Sequence, residues 1–276
     1  MQFDISVADP NSATRPRVMG ILNVTPDSFS DGGRYLAVDK AIEHALQLVA
    51  EGADIVDVGG ESTRPGAHPV SAAEEIDRVI PVIEGICRES SILVSVDTSK
   101  PEVMSAAAAA GAAMINDVRA LTCEGAMVVA ADLCLPVCLM HMQGTPANMQ
   151  ANPAYGDVVE DVRNFLLERA QACIESGIPG DRIILDPGFG FGKTLQHNLA
   201  LLRHLDRLVD TGFAVLAGLS RKSMIGAVLG DPEADRLAGS VTLALYAMRK
   251  GVHIVRVHDV AQTVDALKIE AAVAAG

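Results

Sequence analysis

Eight polar or charged side chains each stand at the end of a short apolar run, where they could act together on one ligand. They are Asn23, Asp97, Asn116, His141, Asp186, Lys222, Arg256 and His258. The carboxylates of Asp97 and Asp186, with the amide of Asn116, can bind a ring that bears N–H and amino donors, because such donors stabilise a buried carboxylate. For a single polar residue, the alternative is that it caps the following helix. This alternative is strongest for His141 and for Asp117, which follows Asn116.

The cationic side chains in and near this set suit phosphate oxygens. Arg64, Arg256 and His258 carry or can acquire positive charge, which favours binding of a phosphate or pyrophosphate, and Lys222 could join them. Asn23 offers a neutral oxygen that could hold a Mg²⁺ ion in contact with phosphate oxygens. These residues predict a ligand with a polar heterocycle at one end and a phosphorylated group at the other.

The glycine-rich stretch DPGFGFGKTLQHN, residues 186–198, is not a nucleotide-binding loop. The phosphate-binding motif needs two glycines separated by four residues before Lys and Ser or Thr, and its first glycine would fall on Pro187. The spacing of Gly188, Gly190 and Gly192 also fails the dinucleotide motif G-x-G-x-x-G. The stretch therefore serves another purpose.

Two loops combine Pro, Gly and Ser or Thr with a functional side chain. They are TPDSFSDGG, residues 25–33, and STRPG, residues 62–66. This composition fits a lid that opens and closes over a site, and two ordinary turns are the alternative.

The elements that must position these side chains alternate between strands and helices. Short apolar runs occur at residues 18–22, 55–58, 92–96, 114–115, 137–140, 183–185, 213–216 and 254–257. The segments between them show helical spacing, as in Ile42, Ala45, Leu46 and Val49, with Gly52 placed to end the helix. Continuously apolar strands suit a parallel sheet covered by helices. Eight such units predict a single-domain (β/α)8 TIM barrel over residues 1–276, with residues 1–16 as an N-terminal extension; a doubly wound open sheet is the alternative.

A barrel would gather the polar set, because barrel enzymes carry their chemistry at the carboxyl ends of the strands. No hydrolase or zinc motif competes: residues 218–222, GLSRK, lack the second glycine of G-x-S-x-G, and no H-E-x-x-H occurs.

Composition argues against proteins that bind nucleic acids or membranes. The net charge of −13 argues against a nucleic-acid surface, which needs clustered Lys and Arg. No apolar run reaches the ~20 residues that span a bilayer, and the N-terminal stretch has no signal-peptide pattern, so a cytoplasmic protein without membrane partners is expected. Five cysteines, none in C-x-x-C, predict buried free thiols.

Seven segments, each at a predicted strand end, carry a family resemblance. They are GILNVTPDSFSDGG (20–33), DVGGESTRPGA (57–67), SVDTSKPEV (95–103), INDV (115–118), DPGFGFGK (186–193), GLSRKS (218–223) and RVHD (256–259). In this order they resemble the dihydropteroate synthase family over nearly the whole chain. The resemblance implies a TIM-barrel transferase, usually a homodimer and dependent on Mg²⁺. It implies that 6-hydroxymethyl-7,8-dihydropterin pyrophosphate and p-aminobenzoate are joined to 7,8-dihydropteroate, with release of pyrophosphate, by dissociative substitution at the pterin methylene carbon.

The resemblance also implies roles for individual residues. The pterin ring would be bound by Asp97, Asn116, Asp186 and Lys222. The pyrophosphate would be bound by Asn23, which also ligates the metal, and by Arg64, Arg256 and His258. The p-aminobenzoate would be bound by Phe29, Thr63, Pro65, Phe191 and Ser220. The residues expected to act in catalysis are Asp97, Asp186, Lys222, Arg256 and His258.

Three alternatives share parts of this pattern. A pterin- or folate-binding methyltransferase domain shares the barrel and the carboxylates but does not need Arg64 or the R-x-H pair, residues 256–258. A non-catalytic pterin binder would be expected to lose Asn23, Arg64 or Lys222. A barrel isomerase or aldolase acting on sugar phosphates would lack the two carboxylates and the amide. The chain has no insertion near Pro65 of the kind that would suggest a sulfonamide-insensitive form.

Overall fold

The structure is a computed structural model that describes residues 15–25, 33–63, 66 and 69–275. Eight parallel strands form a closed barrel in sequence order, and β1 pairs with β8 to close it. The strands are β1 (Arg17–Asn23), β2 (Ile55–Gly59), β3 (Leu93–Asp97), β4 (Met114–Asp117), β5 (Val137–Met140), β6 (Ile183–Asp186), β7 (Ala214–Ala217) and β8 (Ile254–Val257). The predicted (β/α)8 TIM barrel is confirmed, and the open sheet is not found. The predicted N-terminal extension lies almost entirely outside the described residues.

Helices surround the barrel and connect successive strands. They are α1 (Gly33–Ala50), α2 (Ala72–Glu89), α3 (Pro101–Ala109), α4 (Ala126–Leu133), α5 (Val158–Glu175), α6 (Leu195–Arg203), α7 (Asp206–Val209), α8 (Ser223–Leu229), α9 (Leu237–Arg249) and α10 (Val260–Ala275). Gly52 follows α1 with φ +98°, a left-handed conformation that only glycine adopts without strain. None of the helices in the described part of the chain is both long and apolar enough to cross a bilayer.

The apolar side chains form two separate clusters. The larger lies between the strands and the helices. The smaller fills the barrel interior and consists of Met19, Ile55, Met114, Cys138, Ile184, Ala214, Leu216 and Ile254, with Leu93 against it. A barrel interior filled in this way is a packed core and not a pore.

Strand alternation places polar side chains directly above this interior cluster. Successive residues of a strand point to opposite faces, so residues two apart share a face. The interior residues Ile55, Met114, Ile184 and Ile254 are followed two positions later by Asp57, Asn116, Asp186 and Arg256. The barrel interior is therefore apolar below and strongly polar toward the carboxyl ends of the strands.

The prediction that all five cysteines are buried is wrong for Cys87 and Cys134, which are exposed. Cys123 is half-buried, and only Cys138 and Cys173 are buried; all five are free thiols. Cys87 lies on the outer helix α2, and Cys134 ends α4 with φ +53°. Apolar neighbours in sequence do not bury a side chain on the solvent side of a helix, because only one stripe of each helix faces the core.

Candidate active site

Four neighbouring strands end at one level of the barrel mouth. Across β1 to β4, the Cα atoms of Asn23, Gly59, Asp97 and Asn116 are aligned as register partners. Gly59 has no side chain at this level. A Cβ atom there would lie at ordinary contact distance, 3.5 Å, from the Cβ atom of Asp97. The predicted polar rim is thus a contiguous surface on these strands.

Arg256, from β8, joins two carboxylates across the barrel mouth. Its Nε donates to Asp57 Oδ2 at 2.6 Å, and its Nη2 donates to Asp97 Oδ2 at 2.8 Å. Burial alone would lower the pKa of Arg256, but the two carboxylates hold that pKa above its ordinary value. The guanidinium is therefore a fixed positive charge at the centre of the site.

Asp97 and Asn116 present acceptor and amide groups beside this guanidinium. Burial raises the pKa of Asp97 to about 7, while the charge of Arg256 opposes the rise. Asn116 is buried and donates from Nδ2 to Asp57 Oδ2 at 3.0 Å. A ligand donor that met Asp97 would favour its ionised form.

Asp186 lies across the mouth at the end of β6 and is also buried. Burial raises its pKa, opposed by a hydrogen bond that its Oδ1 accepts from the backbone N–H of Gly188 at 2.7 Å and by the charges of Lys222 and Lys193. Asp186 therefore has the buried, cation-flanked environment expected of a ligand-binding carboxylate.

Lys222 stands at the N-terminal cap of α8, half-buried above Phe191. Its Nζ atom lies 4.4 Å from the centroid of the Phe191 ring, a cation–π contact. Burial lowers the pKa of Lys222 to about 8, although the carboxylate of Asp186 opposes this. Lys222 and Phe191, predicted to serve different substrates, thus lie together.

The glycine-rich loop after β6 is folded back against the loop after β5. Gly188, Gly190 and Gly192 have φ values of +67°, +83° and +63°. A Cβ atom at Gly188 would collide with the carbonyl oxygen of His141, and one at Gly192 would lie 2.6 Å from that of Gln143. These glycines therefore permit left-handed turns and a close approach of two loops.

Lys193 ties this loop down from inside and was given no role by the sequence. Its Nζ lies 2.9 Å from Nδ1 of His141 and donates to the carbonyl oxygens of Gly188 at 2.9 Å and Phe191 at 3.0 Å. Burial lowers the pKa of Lys193 to about 7 and that of His141 to about 3, where the charge of Lys193 also contributes. Both side chains hold the loop, which supports a structural role for His141.

His258 and Ser220 contact each other beside the rim. Ser220 Oγ accepts a hydrogen bond from the backbone N–H of His258 at 3.1 Å and lies 3.1 Å from its Nδ1. Burial lowers the pKa of His258 to about 4, and the nearby Arg221 and Arg256 lower it further. Without a bound anion the imidazole is therefore neutral near neutral pH, and it could acquire charge beside one.

The structure accounts for Asp117 as a turn residue. Its carboxylate accepts hydrogen bonds from Ser99 Oγ and from the backbone N–H groups of Arg119 and Leu121, both at 2.8 Å. These bonds explain why Asp117 is buried. Asp117 stabilises a turn and does not cap the following helix, because α4 begins at Ala126 and its N-cap is Gly125.

Several predicted residues fall at the edge of the described chain. Asn23 is exposed at the end of β1, and Thr63 is half-buried just after β2. Phe29, Arg64 and Pro65 lie outside the described residues. Across the described ranges, no group of three or more His, Cys, Asp or Glu side chains is arranged to hold a metal ion.

Sequence reasoning missed Asp57 and the base of the loop after β2. A carboxylate inside the apolar run IVDV was the available signal, because a buried charge requires a partner.

At the loop base, Lys100 donates to Glu61 at 2.5 Å and also to the buried Glu75. Glu61 accepts from the backbone N–H of Val70 at 3.1 Å, so it joins the two ends of the loop.

Comparison with known proteins identifies the family of this chain. Residues 19–258 match the family described as pterin binding enzyme. The dihydropteroate synthase of Escherichia coli is 51% identical over 256 residues, which cover 93% of this chain and 91% of that protein.

Two solved structures from Xanthomonas albilineans are closely similar. Its dihydropteroate synthase with 4-aminobenzoic acid superposes with a TM-score of 0.90 at 55% identity, covering 96% of this chain and 95% of that one. The same enzyme in complex with 7,8-dihydropteroate superposes with a TM-score of 0.87 at 52% identity, covering 96% of each chain. The chain therefore belongs to the dihydropteroate synthase family of pterin-binding enzymes.

Proposed function

We propose that this chain joins 6-hydroxymethyl-7,8-dihydropterin pyrophosphate to p-aminobenzoate by dissociative substitution at the pterin methylene carbon. Its family membership makes it a transferase that forms 7,8-dihydropteroate. The observation that carries the proposed site is the meeting of Asp97, Asn116 and Arg256 at one barrel mouth, although they are far apart in the chain.

The acceptor groups would bind the pterin ring. Asp97 and Asp186 are buried or half-buried carboxylates, and ring N–H and amino donors would replace the water that burial has removed. Their negative charges favour positive charge on the ring, which develops when the leaving group departs. Asn116 adds an amide beside them, and Lys222 supplies a cation that lies over Phe191.

The cationic and neutral donors would bind the pyrophosphate. Arg256 is a permanent cation, and the neutral His258 ring has one N–H to donate. An anion beside His258 would raise its pKa again, because opposite charge favours the protonated form. Arg64 would join them from the loop after β2.

The proposed reaction breaks one bond and forms another. The bond between the methylene carbon and the pyrophosphate oxygen breaks, and its electron pair leaves with pyrophosphate. The lone pair of the p-aminobenzoate nitrogen then forms the new C–N bond, and the resulting ammonium loses its proton to water. Groups that bind the departing oxygen anions lower the first barrier.

The residues at the rim fit a Mg²⁺ ion that is held mainly by substrate. Asn23 is exposed at the strand end and offers one neutral oxygen, and Mg²⁺ usually takes few protein ligands together with substrate phosphates. Asn23 would therefore hold the ion against the pyrophosphate. When bound, Mg²⁺ would neutralise charge on the leaving group.

The p-aminobenzoate would lie between Lys222 and the loops. Phe191 lies under Lys222, Ser220 contacts His258, and Thr63 belongs to the second loop, which supports this assignment. Phe29 and Pro65 would complete this pocket from the two loops. The resemblance further predicts a homodimer, which sedimentation of the purified chain would test.

The test is an assay of pyrophosphate release with the pterin pyrophosphate, p-aminobenzoate and Mg²⁺. We expect release to require both substrates, and we expect Asp186→Ala to lose pterin binding in calorimetry, because a ring donor would lose its acceptor. Glu270→Gln is the control, since Glu270 of α10 pairs with Arg249 of α9 among the outer helices. Unchanged pterin affinity in Asp186→Ala would refute this site.

The dissociative step has its own measurement. A label in the bridging oxygen of the pterin pyrophosphate should scramble into non-bridging positions when p-aminobenzoate is omitted, because the departed pyrophosphate can rotate before it recombines. Complete retention of the label in the pterin pyrophosphate recovered under this condition would contradict a dissociative step.

A further inference from the structure

Asp57 is less exposed than any described residue of the proposed substrate site. It occupies the centre of β2, two residues beyond Ile55 of the interior cluster, and its side chain is fully buried. A carboxylate is rarely buried in this way unless it is paired. Its position therefore requires an explanation beyond packing.

One oxygen of Asp57 holds two residues from distant strands. Oδ2 accepts from Nε of Arg256 on β8 at 2.6 Å and from Nδ2 of Asn116 on β4 at 3.0 Å. Both partners belong to the proposed substrate site. Asp57 thus connects a group assigned to pyrophosphate with a group assigned to the pterin ring.

Arg256 contacts Asp57 and Asp97 through different nitrogens, and this difference matters when a ligand arrives. Nη2 donates to Asp97, whose carboxylate is assigned to the pterin ring, whereas Nε donates to Asp57. A ring donor that takes over Asp97 frees Nη2 for the pyrophosphate, and the Nε contact can persist during this exchange.

The second oxygen of Asp57 supports a role other than simple ion pairing. Oδ1 is buried and accepts no hydrogen bond from any residue that the structure describes. Leaving a buried acceptor unpaired lowers the stability of the folded protein. Burial of this charge is therefore more costly than stability alone would favour.

We propose that Asp57 is a positioning residue, which holds Arg256 and Asn116 in the orientation that the reaction needs while Arg256 exchanges Asp97 for substrate. The proposal rests on the proposed function, because the roles of Arg256, Asn116 and Asp97 come from it.

The test compares Asp57→Asn with Ser95→Ala in the pyrophosphate-release assay. Ser95 is the β3 register partner of Asp57, and its buried Oγ also has no partner among the described residues, so it is a matched control. We expect Asp57→Asn to lower kcat/KM for the pterin pyrophosphate about 10- to 100-fold through lost orientation. KM for p-aminobenzoate should stay unchanged, and Ser95→Ala should resemble the wild type.

The pH profile separates positioning from a general loss of structure. The charged groups that act on Asp97 are Arg256, Asp57, Glu75 and Asp117, and Asp57 raises its pKa. Removing the charge of Asp57 should therefore move the acid limb of kcat/KM to lower pH. A folded Asp57→Asn protein with wild-type kcat/KM and an unmoved limb overturns the proposal.

A second variant decides the matter if Asp57→Asn does not fold. Asp57→Glu keeps the charge but displaces both partners by a methylene, so it should lose kcat/KM without moving the acid limb. Wild-type kcat/KM in this variant would overturn the proposal. Absence of pyrophosphate release by the wild type would instead contradict the proposed function, so the two failures are distinguishable.

Discussion

At the scale of single residues, the site is governed by how burial changes protonation. Burial lowers the pKa of Lys222 to about 8 and raises that of Asp97 to about 7. Each shift brings the pKa of a normally fully charged group close to neutral pH, so ligand contacts decide its protonation state. A ligand that joins these groups would therefore change their charge as it binds.

Lys222 gives a pH dependence whose sign follows from its role as a cation. The ammonium is lost as pH rises through about 8, so kcat/KM for the pterin pyrophosphate should fall above that pH. Lys222→Arg keeps a permanent charge and should lose this alkaline limb, even if its maximal rate is lower. The measurement is kcat/KM against pH for both proteins. An identical alkaline limb in the arginine variant would show that another group titrates.

At the scale of elements, the loop after β6 depends on glycine for two separate reasons. Gly188 combines a left-handed φ of +67° with a close approach to His141 of the neighbouring loop. Lys193 then fixes the loop through several backbone carbonyl oxygens. The loop places Phe191 below Lys222, so its conformation and the substrate site are connected.

Gly188→Ala should therefore destabilise the protein more than an alanine substitution at a glycine that has a left-handed φ but free space around it. Gly230, with φ +73° and nothing within 4 Å of an added Cβ atom, is the matched control. Gly230→Ala should cost about 1–2 kcal/mol of the free energy of unfolding, from the left-handed conformation alone. Gly188→Ala should cost more and should also weaken pterin binding. Equal costs in urea unfolding, with unchanged pterin affinity, would contradict the packing of the two loops.

At the scale of the whole molecule, the barrel interior joins strands that are distant in sequence. Leu216 on β7 is fully buried within the interior cluster. Leu216→Ala should lower the free energy of unfolding by about 2–5 kcal/mol, because a cavity at the barrel centre cannot close without moving several strands.

The control for this variant lies on the outer surface. Val273 of α10 is 75% exposed, so Val273→Ala should change stability by less than about 0.5 kcal/mol. Thermal or urea unfolding of both variants checks the pair. A small effect at Leu216 would mean that the interior is not the common core of the barrel.

The fold was predictable because every strand repeats one local pattern. Each apolar run ends in a polar residue and is followed by helical spacing, and eight such units leave few architectures. The first residue of the strand was off by one at β1, β3 and β7, which begin at Arg17, Leu93 and Ala214. The polar rim was predictable for the same reason, because Asp97, Asn116 and Asp186 mark strand ends in the sequence itself.

Roles inside the barrel were not predictable, because they depend on which face of a strand a residue occupies and on what lies opposite. Asp57 looked like part of an apolar strand, and its pairing with Arg256 joins residues 199 positions apart. Lys193 received no role from the sequence, yet it is buried and binds backbone carbonyl oxygens.

The sequence by itself determined the alternation of elements, the family and the residue types at the strand ends. Local patterning carries that information, since periodicity and turn residues act over a few positions. Only the tertiary structure decided which charges meet, which of them lose water, and hence that His258 is neutral while Arg256 is shared by two carboxylates. These properties depend on distance and burial, which exist only once the barrel has closed.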